Sequence, residues 1–212
     1  GLASDEADRV IGAFRKHATV PVISLESARE HPCQGLADLM TMQEEFGDLS
    51  QVNIALSWAP HIKSLPRAVP NSVLLTAAAM GAKIKIAHPL GYALAPEITA
   101  EAIQLSEQTG AKIEFFTHQQ SALRGAHVLY AKSWGQTDAL VAPPNDPSLA
   151  GWMPTEKHFE LADPKAIFMH CLPVRRGVEV AHEVLDGPHS RVLEEAGNRL
   201  WVQMAALEYL LS

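Results

Sequence analysis

Val52-Asn53-Ile54-Ala55-Leu56-Ser57-Trp58, the helical run Val69–Met80 closed by Gly81, and Lys83-Ile84-Lys85-Ile86-Ala87-His88 decide the fold. Two apolar runs of strand length flank one helix of crossover length, the unit from which parallel sheets are built. The alternation continues downstream. Pro96–Gln108 is expected to be a helix, with proline at its start and Gly110 past its end. Lys112–Phe116 reads as a strand, Gln119–Arg124 as a short helix closed by Gly125, His127–Ala131 as a strand and Ala166–Cys171 as a fifth. Upstream, Asp5–Lys16 carries Ala7, Val10, Ile11 and Phe14 at helical steps. A short apolar run Val20–Ile23 follows, and Gly35–Phe46 is helical again, with Gly47 as a stop. Asn198–Leu211 is a closing amphipathic helix. Five Val/Ile/Ala-rich strands with crossover helices predict an α/β fold, a doubly wound parallel sheet covered on both faces.

The 212 residues and 47% hydrophobic content suffice for one large domain or two small ones. A net charge of −7 argues against a nucleic-acid surface, which needs clustered Lys and Arg. The two cysteines, far apart and in no C-x-x-C spacing, point to a reducing compartment. Gly1–Glu6 lacks the pattern of a signal peptide, and no apolar run reaches the roughly 18 residues of a membrane span. A cytoplasmic protein is expected. Ten histidines invite a metal, yet none stand as H-x-x-x-H on a helix or cluster with cysteine. No G-x-G-x-x-G or P-loop follows a strand, so neither metal nor nucleotide cofactor is expected.

Doubly wound folds bind ligands beyond the carboxyl ends of their strands. Trp58-Ala59-Pro60-His61, His88-Pro89, Lys132-Ser133-Trp134 and Cys171-Leu172-Pro173 all fall there. The string His31-Pro32-Cys33-Gln34 precedes the helix expected from Gly35, where free N–H groups favour an anion or a polarised carbonyl. Its other reading is a proline-bearing helix start with a capping histidine. His170 and Cys171, as neighbours on a strand, point to opposite faces, so a Cys–His nucleophilic pair is poor. Cys171 is either a backbone-assisted amine acceptor or a buried apolar thiol. Lys132 pairs with a substrate carboxylate or snorkels. Asn71 is a ligand contact or an N-cap. Arg175 and Arg176 bind an anion or are a surface pair. Arg199, with Asn198 at the head of the last helix, is a surface arginine by default. The long irregular stretch after Gly135, with Pro143-Pro144 and Asn145-Asp146-Pro147, is functional or disordered.

The strings His31–Gln34, Tyr130-Ala131-Lys132-Ser133-Trp134, His170–Arg176 and Glu195-Ala196-Gly197-Asn198-Arg199, in this order, resemble the aspartate/ornithine carbamoyltransferases. The resemblance is strongest to the branch acting on N-acetyl- or N-succinylornithine. The Asp-x-x-x-Ser-Met-Gly string typical of the free-ornithine enzymes is absent, and Trp58–His61 and the proline-rich loop Leu65–Ser72 are similar to the N-acyl branch. The resemblance implies a knotted backbone at that loop, an exception to the rule against threading. It implies that His31 and Gln34 contact the carbonyl and amide of carbamoyl phosphate, beside Pro32 and Cys33. Arg199 joins the carbonyl contact, and Cys171 and Leu172 lie beside the carbamoyl group and the attacking amine. Glu26, Asn71 and Lys132 hold the acylated amino acid, with Arg175 in a less defined role.

Two departures stand out. The family's Ser-x-Arg-Thr-Arg phosphate signature is missing, so the chain is expected to be the carboxyl-terminal part of a longer enzyme and inactive alone. Residues 1–34 would then end the carbamoyl-phosphate domain, 35–190 form the amino-acid domain, and 191–212 return to the first domain; the intact protein would be a homotrimer. Glu179 stands where acetylornithine enzymes can carry lysine, and Gly177 where Asn is common, which shifts the expectation towards the succinyl substrate. The alternatives are a transcarbamylase with another amine acceptor, such as ornithine, a non-catalytic amino-acid-binding module, or a Cys171-dependent hydrolase.

Overall fold

In the structure, a computed structural model, residues 8–137 and 140–212 are described. The beginning of the helix expected from Asp5, the stretch Gly1–Glu6 and two residues of the irregular segment after Gly135 lie outside them. Helix α1 spans Arg9–His17 and α2 Pro32–Phe46. A 3-10 turn, Leu49–Gln51, leads into β1, Asn53–Trp58. There follow α3 (Ala68–Ala79), β2 (Lys83–Ala87), α4 (Pro96–Thr109), β3 (Lys112–Phe116), α5 (Gln119–Leu123) and β4 (Val128–Lys132). A 3-10 stretch Pro147–Trp152, α6 (Glu156–Phe159), β5 (Ile167–Met169), α7 (His182–Leu185) and α8 (Val192–Leu211) complete the order.

The five strands form one parallel sheet in the order β3-β2-β1-β4-β5. The chain winds outward from β1 through β2 to β3, then crosses back to β4 and β5. Strand order therefore reverses between β1 and β4, and there Trp58 is in register with Lys132. That is the switch point at which such sheets open a crevice.

Side-chain alternation divides the core. Ile54, Leu56, Trp58, Ile84, Ile86, Tyr130 and Met169 face one layer with Met42, Leu74 and Ile98. Ala55, Ala87, Leu129, Ala131 and Phe168 face the other with Leu123, Phe159 and Val184. The small residues on the second face let short helices approach closely. Helix α2 packs on α8 and α3, which carries its amino terminus to the carboxyl edge of the sheet. The edge strand β3 is largely exposed.

Several boundaries differ from expectation, each with a local cause. Helix α2 begins at Pro32, because proline at N1 lacks only an N–H that has no helical partner there. Helix α3 begins at Ala68, so Asn71 lies inside the first turn and is not an N-cap. Helix α8 begins at Val192, its first turn bearing Glu194 and Glu195, as the helix dipole favours; Gly197 sits inside the helix and hides its true start. Asn198 and Arg199 are thus a full turn and more into α8. Strand β5 ends at Met169, leaving His170 and Cys171 beyond it. The run Val20–Ile23 pairs with no strand among the described residues.

Candidate functional site

The first turn of α2, the start of α3, the ends of β4 and β5 and the second turn of α8 meet at the switch point. His31 is the N-cap residue of α2, and its N–H donates to Ser72 Oγ at 2.8 Å. His31 is buried among charges. Burial holds its imidazole below the ordinary range; Glu26 opposes this, while Arg199 and Lys132 add to it. These Coulomb partners bring Glu26, Lys132 and Arg199 together around His31, and the ring is neutral at pH 7.

Gln34, one turn into α2, is buried. Its Nε2 donates to Asp38 Oδ1 at 2.8 Å and to Glu195 Oε1 at 3.0 Å. Asn71 Nδ2 donates to the Arg29 carbonyl at 2.8 Å. The remaining ends of these side chains have no partner in the protein. Among the described residues, the buried polar atoms without a hydrogen bond include His31 Nδ1, Gln34 Oε1, Asn71 Oδ1, Ser133 Oγ and Arg199 Nε. Native interiors leave few such atoms, and their concentration marks a ligand site. Ser133 and the carboxylates under Gln34 were missed from sequence. Asp38, four residues after Gln34 on one helix face, carried a readable signal, whereas Glu195 is brought in only by tertiary folding.

Lys132 is 9% exposed and makes no hydrogen bond or ion pair with another side chain among the described residues. It does not snorkel. Trp134 faces the core, its indole donating to the Tyr92 carbonyl at 2.6 Å. A buried cation in no ion pair among the described residues, though its field reaches Glu179, suits an anionic ligand group. Glu26 is exposed and reaches the site through its field on His31.

Beyond β5, burial pushes the Cys171 thiol up to about 12, against the opposing pull of Lys132. A thiol this weakly acidic is no nucleophile at neutral pH, which removes the hydrolase reading. Burial likewise raises the Cys33 thiol. Leu172 has φ 49, a left-handed backbone rarely taken by a branched residue, and precedes a cis Leu172–Pro173 bond. Non-glycine residues held in the left-handed region cluster at ligand sites.

His170 Nδ1 accepts from the Leu172 N–H at 3.1 Å, so its proton is on Nε2, which faces Glu179 Oε1 at 3.4 Å. Burial keeps His170 below the ordinary range. Burial alone would raise Glu179, but His170 and the Arg175 N–H at 2.9 Å overcome it and hold the carboxyl below its usual value. Arg175 is exposed and donates from Nε to His61 Nε2 at 3.2 Å. Arg176 pairs with Asp186 at the surface and is not drawn into the site. The loops after β1 and β4 are laced together: Trp58 Nε1 donates to the Trp134 carbonyl at 3.0 Å, the Gly135 N–H to Leu65 at 3.0 Å, and Arg67 to Gln136 at 2.9 Å.

Residues 66–210 match the aspartate/ornithine carbamoyltransferase Asp/Orn-binding domain, and residues 4–44 the carbamoyl-P-binding domain of the same family. An ornithine carbamoyltransferase of Thermosynechococcus vestitus is 39% identical over 93% of this chain and 62% of its own length. An N-acetylornithine carbamoyltransferase of Xylella fastidiosa is 38% identical over 98% of this chain and 63% of its own. A crystal structure of N-acetyl-L-ornithine transcarbamylase superposes with a TM-score of 0.91 at 35% identity, over 98% of this chain and 65% of that one. The chain thus spans less than two thirds of the length of these relatives.

Proposed function

The chain belongs to the aspartate/ornithine carbamoyltransferase family, and from that premise we propose that it carries the amino-acid half of an N-acylornithine carbamoyltransferase acting in arginine biosynthesis. The observation that carries the proposal is the set of unpartnered buried atoms His31 Nδ1, Gln34 Oε1, Asn71 Oδ1 and Arg199 Nε, gathered at the switch point. Donors beside the Gln34 acceptor suit a carbamoyl group, whose carbonyl oxygen accepts and whose NH2 donates, and the second acceptor, Asn71 Oδ1, is left for the amino-acid substrate.

In this reading the neutral δ-amine of the acceptor attacks the carbonyl carbon of carbamoyl phosphate, and the bond from that carbon to the bridging phosphate oxygen breaks. Phosphate leaves and takes the amine's proton, so no protein base is required. Arg199 and His31 stabilise the developing oxyanion; loss of one such donor typically costs about 100- to 1000-fold in rate. Gln34 Oε1 receives the carbamoyl NH2. Pro32 and Cys33 shape the helix start beneath it, and the backbone at Cys171 and Leu172 borders the amine. Lys132, Asn71 and Glu26 hold the acceptor's carboxylate and acylated amine, with Arg175 at the rim.

The phosphate cradle, and the residues that choose among acyl groups, lie in this proposal outside the chain. The proposed division is 1–34, 35–190 and 191–212. The exposed apolar residues of α8, among them Trp201, Met204 and Leu207, pack in it against the carbamoyl-phosphate domain of an intact homotrimer. A second reading, free ornithine as acceptor, is favoured by the near-equal identity to ornithine and N-acetylornithine enzymes. Ureido-product formation by the full-length protein with ornithine, N-acetylornithine and N-succinylornithine tests both. Turnover of an N-acylated acceptor is expected; turnover of ornithine alone establishes the second reading, and no turnover overturns both.

A further inference from the structure

Beneath the ligand-facing oxygen of Gln34 lies a buried carboxyl pair to which no substrate contact is assigned. Both Nε2 hydrogens of Gln34 are committed, to Asp38 Oδ1 at 2.8 Å and Glu195 Oε1 at 3.0 Å. Glu195 is fully buried and accepts twice more, from Tyr130 Oη at 3.2 Å and the His170 N–H at 2.8 Å. Asp38 is 1% exposed; Gln34 donates to its Oδ1, Tyr130 also favours its charge, and its Oδ2 is left without a donor. The two carboxyls also contact each other. Two such groups, buried side by side, cannot both ionise. Hydrogen bonds favour the charged form of the group that collects most of them, which makes Glu195 the carboxylate and Asp38 the acid.

This network fixes which way the Gln34 amide points. Reversing it would turn Oε1 against two carboxyl oxygens that have one proton between them, and would turn NH2 towards the ligand.

We propose that Asp38, as the acid, and Glu195, as the carboxylate, are positioning residues that lock Gln34 with its oxygen outward, so that the site reads an NH2 group and selects a carbamoyl phosphate over its methyl counterpart, acetyl phosphate. The proposal rests on the carbamoyl-transfer reading above. A site built to bond an N–H rejects the isostere without it, because the acceptor is left unpaired.

The two carboxyls respond differently to substitution. Asp38→Asn presents an oxygen to Gln34 and NH2 to Glu195, the pattern of the acid it replaces. Glu195→Gln must aim an amide hydrogen at one of the three donors now converging on it, and the Gln34 amide relaxes by turning over.

The test has two arms. In the first, exchange of the Gln34 side-chain NH2 protons with D2O is followed by NMR on the labelled chain. Slow exchange is expected in wild type and Asp38→Asn, and fast exchange in Glu195→Gln. In the second, the full-length protein is assayed for carbamoyl transfer with acetyl phosphate as competitor. Glu195→Gln and Asp38→Ala are expected to lose about 10- to 100-fold of the preference for carbamoyl phosphate, the worth of one or two hydrogen bonds, and Asp38→Asn to restore it. Equal exchange in all variants, unaltered preference in Glu195→Gln, or failure of Asp38→Asn to rescue overturns the proposal. If the wild type transfers no carbamoyl group, the proposed activity falls, and the exchange arm still decides the orientation of Gln34.

Discussion

His170 Nε2 and Glu179 Oε1 stand 3.4 Å apart, both side chains buried, beneath the turn that carries Cys171 and Leu172. Glu179 also accepts from the Arg175 N–H, so one carboxylate braces both ends of the segment that follows β5. Replacing it by glutamine keeps the volume but weakens the hydrogen bond from the Arg175 N–H and the charged contact with His170. Glu179→Gln is expected to destabilise by about 1–3 kcal/mol in urea unfolding. Its folded carboxyl is held below the ordinary value of 4.5, so the folded state binds fewer protons than the unfolded one. The wild type's advantage over Glu179→Gln is then complete above about pH 4.5 and shrinks as pH falls through the folded value.

The Asp38–Glu195 pair titrates with the opposite sign. Burial pushes Asp38 up to about 7 and, with the Asp38 charge beside it, raises Glu195, while Gln34, Glu195, Tyr130 and Arg199 pull Asp38 down. The folded state therefore keeps a proton that the unfolded chain releases near 3.8. Relative to Asp38→Asn, which does not titrate, wild type is expected to lose stability as pH rises from about 4 to about 7. A constant difference across that range, measured by denaturant titration, contradicts the retained proton.

Cys171 tests the chemistry. Its thiol is neutral at physiological pH, so alkylation by iodoacetamide at pH 7.5 is expected to be slow beside that of free cysteine. Cys171→Ala should reduce carbamoyl transfer by the full-length protein without abolishing it. Complete loss, with the fold intact, would restore a nucleophilic role.

Gly35 sits directly after Gln34, where a Cβ would stand 2.9 Å from Thr76 Cγ2 and 3.3 Å from Ser72 Cβ. Gly35→Ala is expected to push α2 off α3 at a cost of about 1–3 kcal/mol. Adding Thr76→Ser removes the methyl and should return part of it, read as a non-additive double-mutant cycle.

What was legible in the sequence follows from range. Strands β1 to β3 alternate with helices long enough to show their period, so the parallel sheet and the convergence of its carboxyl ends could be read locally. The start of α8 could not, because Gly197 breaks its pattern and Glu195 looks like one more surface acid until α8 packs on α2. The same holds for Glu179, whose partners His170 and Arg175 are near in sequence but whose burial depends on His61, 118 positions upstream. Asn71 resembled a cap because its side chain suits one, and only the bond to the Arg29 carbonyl shows its oxygen left over. Residues proposed to act on ligands carried a signature of type and spacing. The residues that orient them carried almost none.

The most direct measurement of the central claim is the rate of carbamoyl transfer to an N-acylated ornithine by the full-length protein carrying Arg199→Met. Arg199 has a buried Nε without a partner and a field felt by His31, Cys33 and Asp38. The account expects a fall in kcat of about 100- to 1000-fold with the fold retained. An unchanged kcat in a folded variant would contradict it.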